Sequence, residues 1–92
     1  MSAPDTYNKL LRHPEWFARR REILQRDDHT CRCCGASEHL HVHHRAYLYH
    51  ATTGQPVLPW AYPDHLLIVL CDSCHAAGHQ IHKIPTLQTT AL

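Results

Sequence analysis

A chain of 92 residues is one domain, too short for its apolar core alone to give more than marginal stability, so a metal staple is expected. A formal net charge of +1 announces no partner by itself, and no run of about eighteen apolar residues is present to span a membrane. Met1 to Asp5 lacks the apolar core of a secretion signal, so the five cysteines read as thiolates in a reducing cytoplasm, not as disulfides. Eleven histidines are several times ordinary usage, and no six-histidine run explains them.

Residues 1–12 form a loosely held leader with one or two turns. Pro14 suits the first position of a helix, with His13 or a neighbour just outside it. From Pro14 to Arg26 the apolar Trp16, Phe17, Ile23 and Leu24 recur at helical spacing, which predicts an amphipathic helix packed through Trp16 and Phe17 and ended by Asp27-Asp28-His29. Arg19, Arg20 and Arg21 mostly face away from that stripe. With Arg12 and Arg26 they are either a solvated face or a surface for phosphates.

Next comes Cys31-Arg32-Cys33-Cys34-Gly35, where the glycine permits a turn whose amides point at sulfur. Leu40-His41-Val42-His43-His44 alternates apolar and polar like a short half-buried strand. The stretch from Arg45 to Pro63 reads as irregular, broken by Gly54, Pro56, Pro59 and Pro63 and anchored by Tyr47, Tyr49, Trp60 and Tyr62. Leu66 to Leu70 is an apolar run into Cys71 and predicts a second strand; Asp72-Ser73 then cap a helix from about Cys74 to Lys83. Thr86 to Leu92 carries no strong signal and reads as a frayed tail.

Cys31, Cys34, Cys71 and Cys74 are two Cys-x-x-Cys pairs about forty residues apart, the spacing of a four-coordinate structural zinc site. Cys33 is left as a spare thiol. A thioredoxin-type redox pair is the rival, but that motif opens a helix after a strand in a βαβ unit and does not occur as two matched pairs.

His75 and His79 are four apart on the expected helix and so share a face. A zinc joining the two cysteine pairs brings that helix beside the first strand, where His43 can complete a three-histidine set with open positions, the usual composition of a catalytic metal site. Adjacent side chains diverge on a strand, so of His43 and His44 one is a ligand and the other stays free as a base at neutral pH. Imidazoles suit Zn²⁺, Ni²⁺, Co²⁺ or Mn²⁺; Mg²⁺ can act with fewer protein ligands and several waters. The plainer alternative leaves His75 beside the zinc and the other histidines in solvent.

Cys31-x-x-Cys34, Val42-His43-His44 and Leu70-Cys71-Asp72-Ser73-Cys74-His75 with His79 together resemble HNH endonucleases of the zinc-knuckle type, over roughly Pro14 to His82. Pro14-Glu15-Trp16 with Arg19-Arg20, and Pro59-Trp60-x-Tyr62-Pro63, are similar to small phage and bacterial members. The resemblance implies a small α+β zinc-stabilised domain with the ββα-metal (His-Me finger) fold behind an N-terminal amphipathic helix. It implies that His43, His75 and His79 hold a catalytic divalent ion and that His44 is the general base. It implies hydrolysis of DNA phosphodiester bonds to 5′-phosphate and 3′-hydroxyl ends; Arg19, Arg20, Arg21 and Arg45 are then the expected nucleic-acid contacts. The family's middle asparagine falls on Leu66, beside His65, so Tyr47, Arg45 or His65 would have to position the base loop.

Small phage members often act alongside packaging machinery, which makes a larger protein complex an expected partner. The competing expectation is a catalytically inactive zinc-knuckle module that binds nucleic acid or protein, supported by the missing asparagine. A redox or metal-buffering protein is a third class.

Overall fold

His13 caps a helix through its own ring, Nδ1 accepting the Glu15 N–H at 3.1 Å, and Pro14 follows where a missing amide costs nothing. This helix, α1 (Pro14–Arg26), is the expected one, and it buries Trp16 and Ile23. Phe17 departs from expectation: it is exposed, so the stripe that packs is narrower than the sequence suggested. The computed structural model describes residues 9–81 and 84–89, the side chains of 79–81 excepted.

Beyond α1, Asp28 and His29 adopt left-handed backbone (φ 56° and 52°), a conformation that Asn, Asp and His tolerate better than most residues. Asp27 at the helix end is buried, and its carboxylate is fully used. Arg26 donates to it from Nε at 2.8 Å and from a terminal nitrogen at 3.0 Å, and the Val69 N–H donates to it at 3.1 Å. Arg26 also reaches the carbonyls of Asp64 and Leu67 at 2.7 and 2.6 Å. The end of α1 is thereby locked to the strand that carries Val69.

That strand is β3 (Leu67–Cys71), antiparallel to β1 (Leu40–His44) with Leu40 opposite Cys71, Val42 opposite Val69 and His44 opposite Leu67. Leu67, Val69 and Cys71 alternate inward, and with Val42, Trp16, Ile23, Leu48, Val57 and Tyr62 they make the core. Helix α2 (Asp72–Ile81) follows β3 without a gap, starting two residues earlier than expected, and packs on both β1 and β3. The expected end of this helix at Lys83, and His82, lie outside the described residues.

Two expectations are corrected by a second sheet. β2 (Tyr47–His50), inside the stretch read as irregular, pairs in parallel with β4 (Thr86–Thr89), inside the segment read as a frayed tail. The remainder of the long connection is held by its aromatics. Tyr62 is buried and its hydroxyl accepts the Leu48 N–H at 2.8 Å, while Trp60 stacks on His13 at 4.7 Å. Tyr47 is exposed instead. The radius of gyration, 13.3 Å, is near the roughly 12 Å of a packed chain of this length, as befits a small compact α+β domain.

Candidate metal centre and its imidazole flank

Two separate parts of the chain supply sulfur. Cys31 and Cys34 sit in a turn in which the N–H groups of Cys33 and Cys34 both donate to Cys31 Sγ at 3.4 Å, and Gly35 takes the left-handed φ of 82° that lets the chain double back. Arg32 N–H donates to Val69 O at 2.9 Å and fastens this turn along β3. Cys71 ends β3 and Cys74 lies in the first turn of α2.

The four sulfurs all lie within 4.8 Å of one another, and Cys34 and Cys71 are 3.6 Å apart. A zinc–sulfur distance of about 2.3 Å in a tetrahedron puts sulfurs about 3.8 Å apart, so a set of this size could hold such an ion. Cys33 is exposed and stands outside the set.

Electrostatics divide these thiols. Burial pushes the Cys31 thiol up, but the amides of Cys34, Cys71 and Cys33 outweigh it and bring the group down to about 6. At Cys34 the Ala36 amide acts downward, yet proton sharing with Cys71 and Cys31 leaves the thiol raised. Cys74 is raised by the sulfurs of Cys71, Cys34 and Cys31. Four sulfurs that compete for few charges release their protons when a divalent ion supplies the charge instead.

One residue past Cys74 an imidazole group begins. Strand alternation puts His41 and His43 on one face of β1, and α2 lays His75 against both. The His75 ring stacks on His41 at 5.6 Å and meets His43 edge-on at 4.8 Å. His41 Nε2 is hydrogen-bonded to the Asp72 carboxylate on the first turn of α2. His79 is one helical turn beyond His75, and its side chain lies outside the described residues. Of the expected ion-binding histidines, then, His43 and His75 are brought together. Among the described residues the four sulfurs are the one set of three or more ligand atoms drawn this close, and the imidazoles are neighbours that have not converged.

His44 turns to the other side of β1, where its ring is packed into the core. It shares its side of β1 with Val42, is only 9% exposed, stacks on Trp16 at 4.9 Å and meets Tyr62 edge-on at 4.5 Å. Its Nε2 lies 3.2 Å from Pro59 O, and since a carbonyl only accepts, Nε2 carries the hydrogen and the neutral ring keeps its lone pair on Nδ1. Desolvation lowers its pKa, with the Pro59 hydrogen bond acting the other way.

The four arginines named from the sequence differ in what they hold. Arg19 donates to Glu22 Oε2 and Tyr62 O at 2.9 Å and to Asp64 Oδ1 at 2.5 Å, so it ties α1 to the turn before β3. Arg20 is half-buried and reaches Leu40 O at 3.4 Å, whereas Arg21 and Arg45 are exposed. Two features escaped the sequence reading. His41 was legible, because it is two residues before His43 on an alternating strand. The Arg26–Asp27 lock was not, since an Asp ending a helix is ordinarily solvated.

No helix among the described residues is long and apolar enough to cross a membrane. The chain matches no family model, no curated protein and no solved structure in the three comparisons made.

Proposed function

We propose that the chain is a zinc-stabilised, metal-dependent endonuclease of the ββα-metal kind that hydrolyses phosphodiester bonds in DNA. One observation carries the proposal: the rings of His43 on β1 and His75 on α2 meet at 4.8 Å, one residue from a four-sulfur set that would pin those elements together. The antiparallel pair β1–β3 running directly into α2 supports it, being two strands and a helix around one seam.

His43 and His75 would hold the second ion, with His79 one turn along the same helix, and the donor set suits a borderline transition metal. Once bound there, a divalent ion supplies charge neutralisation at the non-bridging and departing oxygens. His44 is the base, taking a proton from water at Nδ1 while Pro59 O holds the hydrogen at Nε2 and fixes the ring.

Supercoiled plasmid incubated with zinc-loaded protein and a panel of Mn²⁺, Co²⁺, Ni²⁺, Zn²⁺ and Mg²⁺ tests the proposal. Nicked or linear product is expected with at least one ion, and His43→Ala or His75→Ala should lower its rate about 10²-fold or more, with the structural zinc retained. No product with any ion, or product that both variants make at the unsubstituted rate, would sink it.

A second reading is favoured by the burial of His44 between Trp16 and Tyr62: a zinc module that binds nucleic acid without cutting it, its base turned into the core. The same assay separates the two, since DNA binding without product belongs to the module.

A further inference from the structure

Beside the imidazole seam lies a basic cleft of about 350 Å³ whose floor is Leu67 and Ile68. Its walls come from three places. Arg32 is carried there by the first cysteine turn, fixed to β3 by its N–H to Val69 O at 2.9 Å. Arg45 follows β1, and its N–H to Leu66 O at 2.7 Å continues the β1–β3 pairing one step past His44. His65 belongs to the short 3₁₀ turn Asp64–Leu66.

The charges in this cleft do not cancel. Arg26 and Asp27 line it too, but each neutralises the other through two hydrogen bonds. Arg32 and Arg45 are exposed, and among the described residues neither guanidinium has a carboxylate or carbonyl partner. Arg32 is close enough to help hold the Asp27 carboxyl below its ordinary range, after the larger effect of Arg26. Two unspent guanidiniums and an imidazole in a concave site are donors matched to a tetrahedral oxyanion.

Position supplies the second argument. Ile68 on the floor is the cross-strand partner of His43, and directly opposed residues on an antiparallel pair point to the same face with Cβ atoms about 5 Å apart. The Ile68 part of the cleft therefore shares the face of the β1–β3 pair that carries His43, while Leu67 is the partner of His44.

We propose that this cleft is a phosphate subsite for the nucleic-acid backbone, in which Arg32 and Arg45 hold the phosphodiester neighbouring the one at His43 and His75, with His65 as an added donor. This rests on the nuclease proposal above and deepens it, by assigning the backbone grip to Arg32, Arg45 and His65 and not to Arg19.

Fluorescence anisotropy on a short DNA duplex, with zinc-loaded protein and no further divalent ion, is measured across a series of salt concentrations. Each neutralised phosphate contributes about 0.9 to the slope of log K against log salt. Arg32→Ala with Arg45→Ala should weaken binding and flatten that slope by about 1, whereas Arg32→Lys with Arg45→Lys should restore the slope; the thermal midpoint should not move in either. A double-alanine variant with the unsubstituted slope, beside unsubstituted protein that binds and nicks DNA, overturns the cleft and leaves the nuclease proposal standing. Unsubstituted protein that neither binds nor nicks overturns both.

Discussion

His44 sits between two aromatic rings, and its surroundings decide what a substitution there reports. Replacing it by Ala opens a gap between Trp16 and Tyr62, and deletions of this size in a core cost about 2–5 kcal/mol, so lost cleavage would not separate chemistry from folding. His44→Phe keeps a ring in the stack and removes only the titration and the Pro59 hydrogen bond, the latter a cost independent of pH. Desolvation depresses the folded-state pKa below the ordinary 6.5. Below 6.5 the unfolded chain therefore takes up a proton that the folded chain refuses, and stability falls as pH drops through the folded value. The sign is that of a buried neutral imidazole: no contribution at pH 7.5, a growing penalty toward pH 5. Denaturant unfolding of both proteins at pH 7.5 and pH 5 should show a smaller acid loss for His44→Phe, the zinc thiolates contributing equally to both. Parallel losses would mean that the ring is not buried as described.

The elements that a local pattern encodes were legible: α1 from its apolar spacing and its Pro14 start, β1 from alternation, β3 from its apolar run, and the sulfur set from two matched spacings. The parallel pairing of β2 with β4 was not, because it joins two short segments far apart in sequence and neither alternates strongly in hydropathy. The direction of His44 was half legible. It shares parity with Leu40 and Val42, so the alternation that predicted the strand already put it on the inward side, but the histidine pair was read by its chemistry. The contacts of Arg19 were not legible for a related reason, since Tyr62 and Asp64 are over forty residues away and no local pattern announces them. At this scale β3 and its end are decisive, because Cys71 is buried there opposite Leu40 and joins the first cysteine turn to α2. Zinc in small modules contributes about 10–16 kcal/mol, comparable to the whole 5–15 kcal/mol stability of an ordinary domain. Cys71→Ser should therefore abolish the cooperative thermal transition, and a strong chelator should do the same to the unsubstituted chain. A Cys71→Ser protein that is zinc-free and still folded would refute the structural site.

For the molecule as a whole, a near-neutral charge of +1 hides a division of labour among its arginines. Arg19 and Arg26 hold α1 to the segment Tyr62–Leu67, while Arg32 and Arg45 project into the cleft beside the imidazole seam. The sulfur set, the seam and the cleft follow one another along the β1–β3–α2 unit, so the candidate metal site and the two proposed sites share a single frame. The middle member of that series supports or sinks the nuclease proposal. Titrating protein that already holds one zinc per chain with Mn²⁺, an ion that thiolates bind poorly, reads it without recourse to activity. One further ion should bind per chain, and it should fail to bind when His43 and His75 are both replaced by Ala while the zinc stays in place. Equal Mn²⁺ uptake by the double variant, or none by the unsubstituted protein, would contradict a second metal site built on these two imidazoles.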